Sequence, residues 1–221
     1  MATAAILPVK RFDQAKQRLG EALGASTRAT LAAAMFADVL AQIQRADSLD
    51  EIFVVSGEPA VQKLATEAGA ALIDDPAEKG QSQATLSGLA RAAAKGYERA
   101  LLVPGDCPLV DPGEVDLLVR GSAEEVVIVP DRHDTGTNAL LLDPSGSFEP
   151  KFGPGSLARH VEQAQSKGLR HMVTTVPSLG LDVDTGEDLD ELVRALDGVH
   201  GRASRTRGVL SQIGRTSTAA A

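Results

Sequence analysis

Residues 100–109, ALLVPGDCPL, constrain the fold of this chain more than any other stretch. An unbroken apolar run with no polar alternation reads as a strand covered on both faces. Such a strand needs helices above and below it, which points to an α/β layering. Pro104 and Gly105 end the run, so Asp106 falls just past its carboxyl end, where open α/β sheets bind ligands. A carboxylate there suits a hard cation such as Mg²⁺, which takes oxygen ligands and holds substrate phosphates. It would equally cap a turn or the next helix, and this stretch alone does not choose.

Similar apolar runs recur at 4–9 (AAILPV), 51–56 (EIFVVS), 71–74, 126–130 (VVIVP), within DRHDTGTNALLLD, and at 171–176. Helical periodicity fills the intervals. TRATLAAAMFADVLAQIQRA, capped by Ser26 or Thr27, carries Leu31, Met35, Val39, Leu40 and Ile43 at helical spacing. PAVQKLATEAGA, a helix beginning near Ser82, DPGEVDLLVRG, LARHVEQAQSKG and the residues after Thr185 continue the alternation. The pattern predicts one α/β domain over residues 1–197, with a mainly parallel central sheet flanked by helices. The remaining stretch, 198–221, has four arginines, no acids and no firm periodicity, and is expected to be a disordered basic tail.

The formal net charge of −8 leaves no basic surplus to neutralise a nucleic acid. An anionic ligand must be gripped locally, by placed cations, backbone amides or a metal. Cys107 is the only cysteine, so no intrachain disulfide can form and a cytoplasmic setting is natural. No His stands near it to activate the thiol, so it reads as a small buried side chain. Residues 1–9 lack the charged start and apolar length of a signal peptide. No run approaches the ~20 apolar residues of a membrane span. Neither nucleic acid nor membrane is expected as a partner.

The stretch PVKRFDQAKQRLG places Lys10, Arg11, Lys16 and Arg18 just after the first strand, a favoured place for a phosphate cradle. It matches neither the dinucleotide-binding nor the P-loop signature, and a solvated basic turn is the plainer alternative. Gln81, Ser82 and Gln83 could hydrogen-bond a nucleobase edge or ribose, unless Ser82 only caps its helix. Thr135, Gly136, Thr137 and Asn138 offer hydroxyls, an amide and backbone N–H groups, whereas His133 reads as a loop residue. In KFGPGS, Gly153 and Gly155 precede a helix start whose N–H groups and dipole attract a small anion, with Ser156 as N-cap, ligand or both. Asp182 and Asp184 alternate, so an extended backbone points both carboxylates one way. Thr185 with Asp188 resembles a helix-start box, which accounts for Asp184 but not for Asp182. Beside Asp106, the pair could hold one or two Mg²⁺ ions for phosphoryl chemistry.

This inventory fits transfer of a nucleotidyl group from a nucleoside triphosphate to an anionic acceptor. An acceptor phosphate is largely ionised at neutral pH, its second pKa being ~6, so no general base is needed. PVKRFDQAKQRL, VPGDCPL, TGTNALLL, FGPGSLARH and LDVDTGEDL together resemble the guanylyltransferases of coenzyme F-420 biosynthesis, within the wider group that includes the molybdenum-cofactor guanylyltransferases. The resemblance covers roughly residues 6–196. It implies a GT-A-like, Rossmann-like nucleotidyltransferase domain that joins GMP from GTP to the phosphate of phosphoenolpyruvate or 2-phospho-L-lactate. By the same resemblance Asp106, Asp182 and Asp184 hold Mg²⁺, and Lys10, Lys16 and Arg18 bind the GTP phosphates. Asp106, Lys16 and Lys10 become the catalytic candidates. Thr137, Gly153 and Ser156, with Asn138 beside them, become the acceptor's seat, and Gln83 a nucleotide contact. The implied partners are GTP, a small phosphorylated carboxylic acid and the next enzyme of the same pathway. Where many relatives carry Leu-Asn this chain has Ser82-Gln83, which leaves base contacts open. Other nucleotidyltransferases, D-x-D glycosyltransferases of the same fold and a GTP-binding regulatory protein are the competing readings.

Overall fold

The computed structural model describes residues 1–12, 16–21, 23–75 and 80–215. Chain order among them is β1 (Thr3–Pro8), a 3-10 turn (Gln17–Glu21), α1 (Ala25–Ile43), β2 (Glu51–Ser56), α2 (Pro59–Glu67), β3 (Ala71–Asp74) and α3 (Gln81–Ala94). There follow β4 (Arg99–Leu102), α4 (Pro112–Gly121), β5 (Val126–Pro130), β6 (Thr137–Leu142), α5 (Ser156–Ser166), β7 (His171–Val173), α6 (Gly186–Leu196) and α7 (Ser204–Gln212). The strands form one sheet in the order β3-β2-β1-β4-β6-β5-β7. Only β6 runs antiparallel to its neighbours, β4 and β5. The expected α/β fold with a mainly parallel sheet is what the chain adopts.

The apolar runs are sorted by the two-residue period of a strand. Ala5, Leu7, Val54, Leu101, Val127 and Leu141 face one side, under α1, α2 and α4. Ala4, Ile6, Phe53, Leu102, Ile128 and Leu140 face the other, under α3 and α5. With both faces covered, the central strands are apolar throughout, as the run at 100–103 required. β1 and β4 are neighbours from which the chain departs in opposite directions, so a crevice opens at their carboxyl ends.

Some boundaries differ from the sequence reading. Gly24 rather than Ser26 or Thr27 precedes α1, and Gly80 precedes α3, so Ser82 is not its cap. The seventh strand ends at Val173, because a 3-10 turn, Pro177–Leu179, takes over the following segment.

The basic tail needs a larger correction. Ser204–Gln212 is helix α7, packed on α1, with Leu210 buried. Its missing local signal is explained by a borrowed cap. The buried Asp38 carboxylate on α1 accepts from the N–H groups of Arg205 (3.2 Å) and Thr206 (2.8 Å) and from the Thr206 hydroxyl (2.7 Å). The arginines staple this segment down: Arg202 pairs with Asp111 at 2.8 Å, and Arg215 with Asp190 at 2.8 Å. The packed unit therefore extends to Arg215, and 216–221 lie outside the described residues. Among the described residues, no helix is long and apolar enough to cross a membrane.

Candidate active site

A cleft of about 680 Å³ opens at the carboxyl ends of β1 and β4. It is lined by Lys10, Lys16 and Arg18 from the segment after β1, by Asp106, by the turn before β6, by the start of α5, and by Asp182 and Asp184. Residues from these five separate stretches of sequence thus meet in one place.

Pro104 and Gly105 deliver Asp106 to the rim. A Cβ on Gly105 would stand 3.3 Å from Phe36 and from Val9, which is tight for any side chain, so glycine lets the backbone lie against the core there. Asp111, not Asp106, caps α4, accepting from Gly113 N–H at 2.7 Å. The backbone N–H of Val183 donates to Asp106 C=O at 3.2 Å, and this tie lays the Asp182–Asp184 segment beside Asp106.

At the centre is Lys16, held with φ near +59°, a left-handed conformation that a lysine rarely adopts. Its ammonium bonds the Asp106 carboxylate and, at 2.8 Å, that of Asp184. Burial alone would lower the Lys16 pKa, but the two carboxylate charges and their hydrogen bonds outweigh it and hold the proton firmly. Asp182 is mostly buried, and that burial, reinforced by the charges of Asp106 and Asp184, pushes its pKa up to about 6. The Asn138 amide, 3.2 Å away, partly opposes the shift.

Three carboxylates and one ammonium leave an excess of negative charge. Asp106 Oδ1 is moreover buried without a hydrogen-bond partner. Among the described residues no three His, Cys, Asp or Glu side chains close into a ready metal cage, because Lys16 draws Asp106 and Asp184 to itself. An oxygen-only donor set, an orphaned carboxylate oxygen and an ammonium standing in for a cation fit a hard divalent ion. Asp106, Asp182 and Asp184 are the residues that would hold it.

The opposite wall is built on glycines and borrowed carbonyls. Asp131 accepts from the N–H groups of His133, Thr135 and Gly136 at 2.8–3.1 Å, shaping the turn that presents Thr137. A Cβ on Gly136 would sit 2.5 Å from the Asp131 carboxylate, so a side chain there would push aside the group that shapes the turn. Gly153 (φ +115°) and Gly155 (φ +69°) bring the chain into α5, where Ser156 is the first helical residue and buried. Gly155, not Ser156, is the N-cap. Arg159 holds this loop by donating to the carbonyls of Lys151 and Gly153.

The sequence candidates separate in this geometry. Asp106, Lys16, Asp182 and Asp184 come together, with Lys10 and Arg18 exposed on the cleft wall. Thr137, Gly153 and Ser156 line the other side. Asn138 also borders the cleft, but its amide donates to Leu179 C=O at 2.7 Å and Gly180 C=O at 3.2 Å, so it braces the Asp182 segment. Gln83 is exposed and outside the lining. Gln81, Gly80 and Ala84 lie on it instead, because the helix starts two residues earlier than Gln83.

Sequence reasoning missed Arg132. Its guanidinium grips Asp188 Oδ1 through Nε (3.0 Å) and Nη2 (2.8 Å). Asp188 Oδ2 meanwhile accepts from the N–H groups of Asp184 and Thr185, so Arg132 steadies the turn that aims Asp184. Burial opposes ionisation of Asp188, yet the Thr185 and Arg132 hydrogen bonds win and lower its pKa. The Thr185–Asp188 box was the one signal available, and it holds.

Known proteins resemble this one over nearly its whole length. A phosphoenolpyruvate guanylyltransferase of Conexibacter woesei is 44% identical over 219 residues, covering 98% of each chain. A 2-phospho-L-lactate guanylyltransferase of Methanothermobacter thermautotrophicus is 34% identical, covering 91% of this chain and 89% of its own. A 3-phospho-D-glycerate guanylyltransferase of Phenylobacterium zucineum is 36% identical, covering 95% of both. In fold, a Desulfovibrio desulfuricans protein assigned provisionally to the nucleotide-diphospho-sugar transferases superposes with a TM-score of 0.76 at 18% identity, over 97% of this chain and 96% of its own. The glucosyl-3-phosphoglycerate synthase of Mycobacterium tuberculosis, solved with Mn²⁺ and uridine diphosphate, gives 0.55 at 15%, over 98% and 81%. The family model described as guanylyl transferase, CofC like, matches residues 3–219. The chain belongs to this family of CofC-like guanylyl transferases.

Proposed function

We propose that this protein is a Mg²⁺-dependent guanylyltransferase. It transfers GMP from GTP to the phosphate of a three-carbon phosphorylated acid, phosphoenolpyruvate or 2-phospho-L-lactate, and releases pyrophosphate. The reaction would serve coenzyme F-420 biosynthesis in the cytoplasm. The observation that carries this reading is the cleft's polarity. One end gathers three carboxylates, two of them bonded to Lys16, and the other presents Thr137, Ser156 and a glycine-led helix start to a small anion.

Lys10, Lys16 and Arg18 grip the triphosphate and orient the α-phosphorus toward the acceptor. An ionised oxygen of the acceptor phosphate attacks that phosphorus. The new P–O bond forms as the bond to the bridging β-phosphate oxygen breaks, and pyrophosphate leaves with the electron pair. The attacking oxygen carries its charge already, so no side chain has to take a proton. The divalent ion would supply positive charge against the crowded phosphates and the departing pyrophosphate. Ser156 and Thr137, at the positive amino end of the α5 dipole, hold the acceptor's carboxylate, which turns its phosphate toward the nucleotide. Arg132 and Asn138 keep the acidic segment in register.

A pyrophosphate-release assay crossing four nucleoside triphosphates with phosphoenolpyruvate, 2-phospho-L-lactate and 3-phospho-D-glycerate tests the reading. Release with GTP and one of the first two acceptors is the expected result. Release of a nucleoside diphosphate from a nucleotide sugar would mark a glycosyltransferase, and GTP binding without turnover a regulatory protein. Either would overturn it.

A further inference from the structure

His160 sits one turn into α5, fully buried between the rings of Phe148 and Phe152, each 5.6 Å away centroid to centroid. It does not reach the cleft. Both ring nitrogens are nonetheless engaged: Nε2 lies 2.8 Å from the backbone N–H of Lys151, and Nδ1 lies 2.9 Å from the Thr137 hydroxyl. A backbone N–H can only donate, so Nε2 must be the unprotonated nitrogen. In a neutral ring the proton then resides on Nδ1, and the Thr137 hydroxyl is the acceptor of that bond. Burial, with the charges of Arg159 and Lys151 nearby, lowers the ring's pKa to about 4, so the neutral form persists at physiological pH.

The consequence falls on Thr137. Its oxygen accepts from His160, and among the described residues no protein group accepts its proton. Thr137 borders the cleft, so that proton is available to a bound ligand. With the other tautomer, Thr137 would donate to the ring and turn lone pairs toward the cleft, which repels an anion.

We propose that His160 is a positioning residue that fixes the Thr137 hydroxyl as a one-way donor, so that this corner takes a hydrogen-bond-accepting oxygen of the acceptor, such as a carboxylate's, and not a donor group. The relay runs from Lys151 N–H through the ring to Thr137 and into the cleft. It rests on the reading of this corner as the acceptor's seat.

The test has two arms. Long-range ¹H–¹⁵N spectra of the intact protein, free of substrate, read the tautomer directly. The Nδ1-protonated neutral ring is expected at about pH 6 and at about pH 8. An Nε2-protonated ring, or one that titrates between them, overturns the proposal whatever the enzyme's substrates prove to be. The kinetic arm compares His160→Leu, His160→Asn, Thr137→Val and the His160→Leu/Thr137→Val double variant. His160→Leu should raise the acceptor KM about tenfold or more and leave the GTP KM unchanged. His160→Asn, with an amide N–H near the ring Nδ1 position, should recover part of the loss. In the double variant, His160→Leu should add nothing further once the hydroxyl is gone. Equal rises in both KM values, or additive losses in the double variant, would reduce His160 to a packing role and overturn the relay. Absence of guanylyl transfer by the unmodified enzyme would instead count against the proposed function and leave the spectroscopic arm to decide the tautomer.

Discussion

Replacing Lys16 by methionine keeps most of the unbranched apolar stem and removes the ammonium that stands between Asp106 and Asp184. At an effective dielectric near 20, each carboxylate contact is worth up to about 4 kcal/mol at roughly 4 Å charge separation. Desolvation of the ammonium returns several kcal/mol of that. The Asp184 side chain is 49% exposed, so its share is small, whereas that of Asp106, 27% exposed, is larger. The net loss should be about 1–3 kcal/mol, a fall in Tm of roughly 3–10 °C for a chain of this size. The pH dependence is the sharper part. Asp182 already has its pKa raised to about 6, and without Lys16 the three acids repel one another more strongly. A carboxyl whose folded pKa lies above its unfolded value destabilises the native state at high pH and ceases to do so once protonated in both states. The penalty should therefore be full at about pH 8 and shrink as pH falls through 6 toward 4. Urea unfolding of both proteins in chelator at about pH 8 and pH 5 measures it. An equal penalty at the two pH values, or a variant more stable than its parent at pH 8, would refute the electrostatic account of Lys16.

Other outcomes follow from the same geometry. Asp106→Asn should lower turnover about a hundredfold or more with Tm changed by only a few degrees, checked by pyrophosphate release and calorimetry. Truncation after Gly198 strips three donors from the buried Asp38 carboxylate and should cost about 3–5 kcal/mol, read by denaturant unfolding. The neutral His160, with its pKa lowered to about 4, makes the unfolded chain bind more protons below its own pKa near 6.5. Native stability should therefore decline by up to about 3 kcal/mol from pH 6.5 down through 4, and His160→Gln should flatten that slope in pH-dependent melts.

The central strand and Asp106 were legible because Pro104 and Gly105 punctuate an apolar run that no other element could bury. The helix-start box at Thr185 was legible for a similar reason, since both partners lie within one turn of chain. Direction was not: nothing in TNALLL tells that β6 runs against β4, because strand polarity depends on how the connections travel. Gln83 was misplaced by helix phase. Once α3 begins at Gln81, residues 81 and 84 border the cleft and residue 83 faces solvent. Asn138 borders the cleft as its neighbours in sequence do, yet its amide answers carbonyls about 40 residues away, which no local pattern encodes. Arg132 escaped notice for the same reason.

The loan of Asp38 to α7 has an energetic meaning of its own. A nine-residue helix is too short to persist in water unaided. Its opening amides are tied to a carboxylate 168 positions earlier in the chain, so this last segment cannot order before α1 is in place. Deuterium uptake at Arg205 and Thr206 would then report on the integrity of α1, making two amides at one end of the molecule a gauge of a helix laid down near the other.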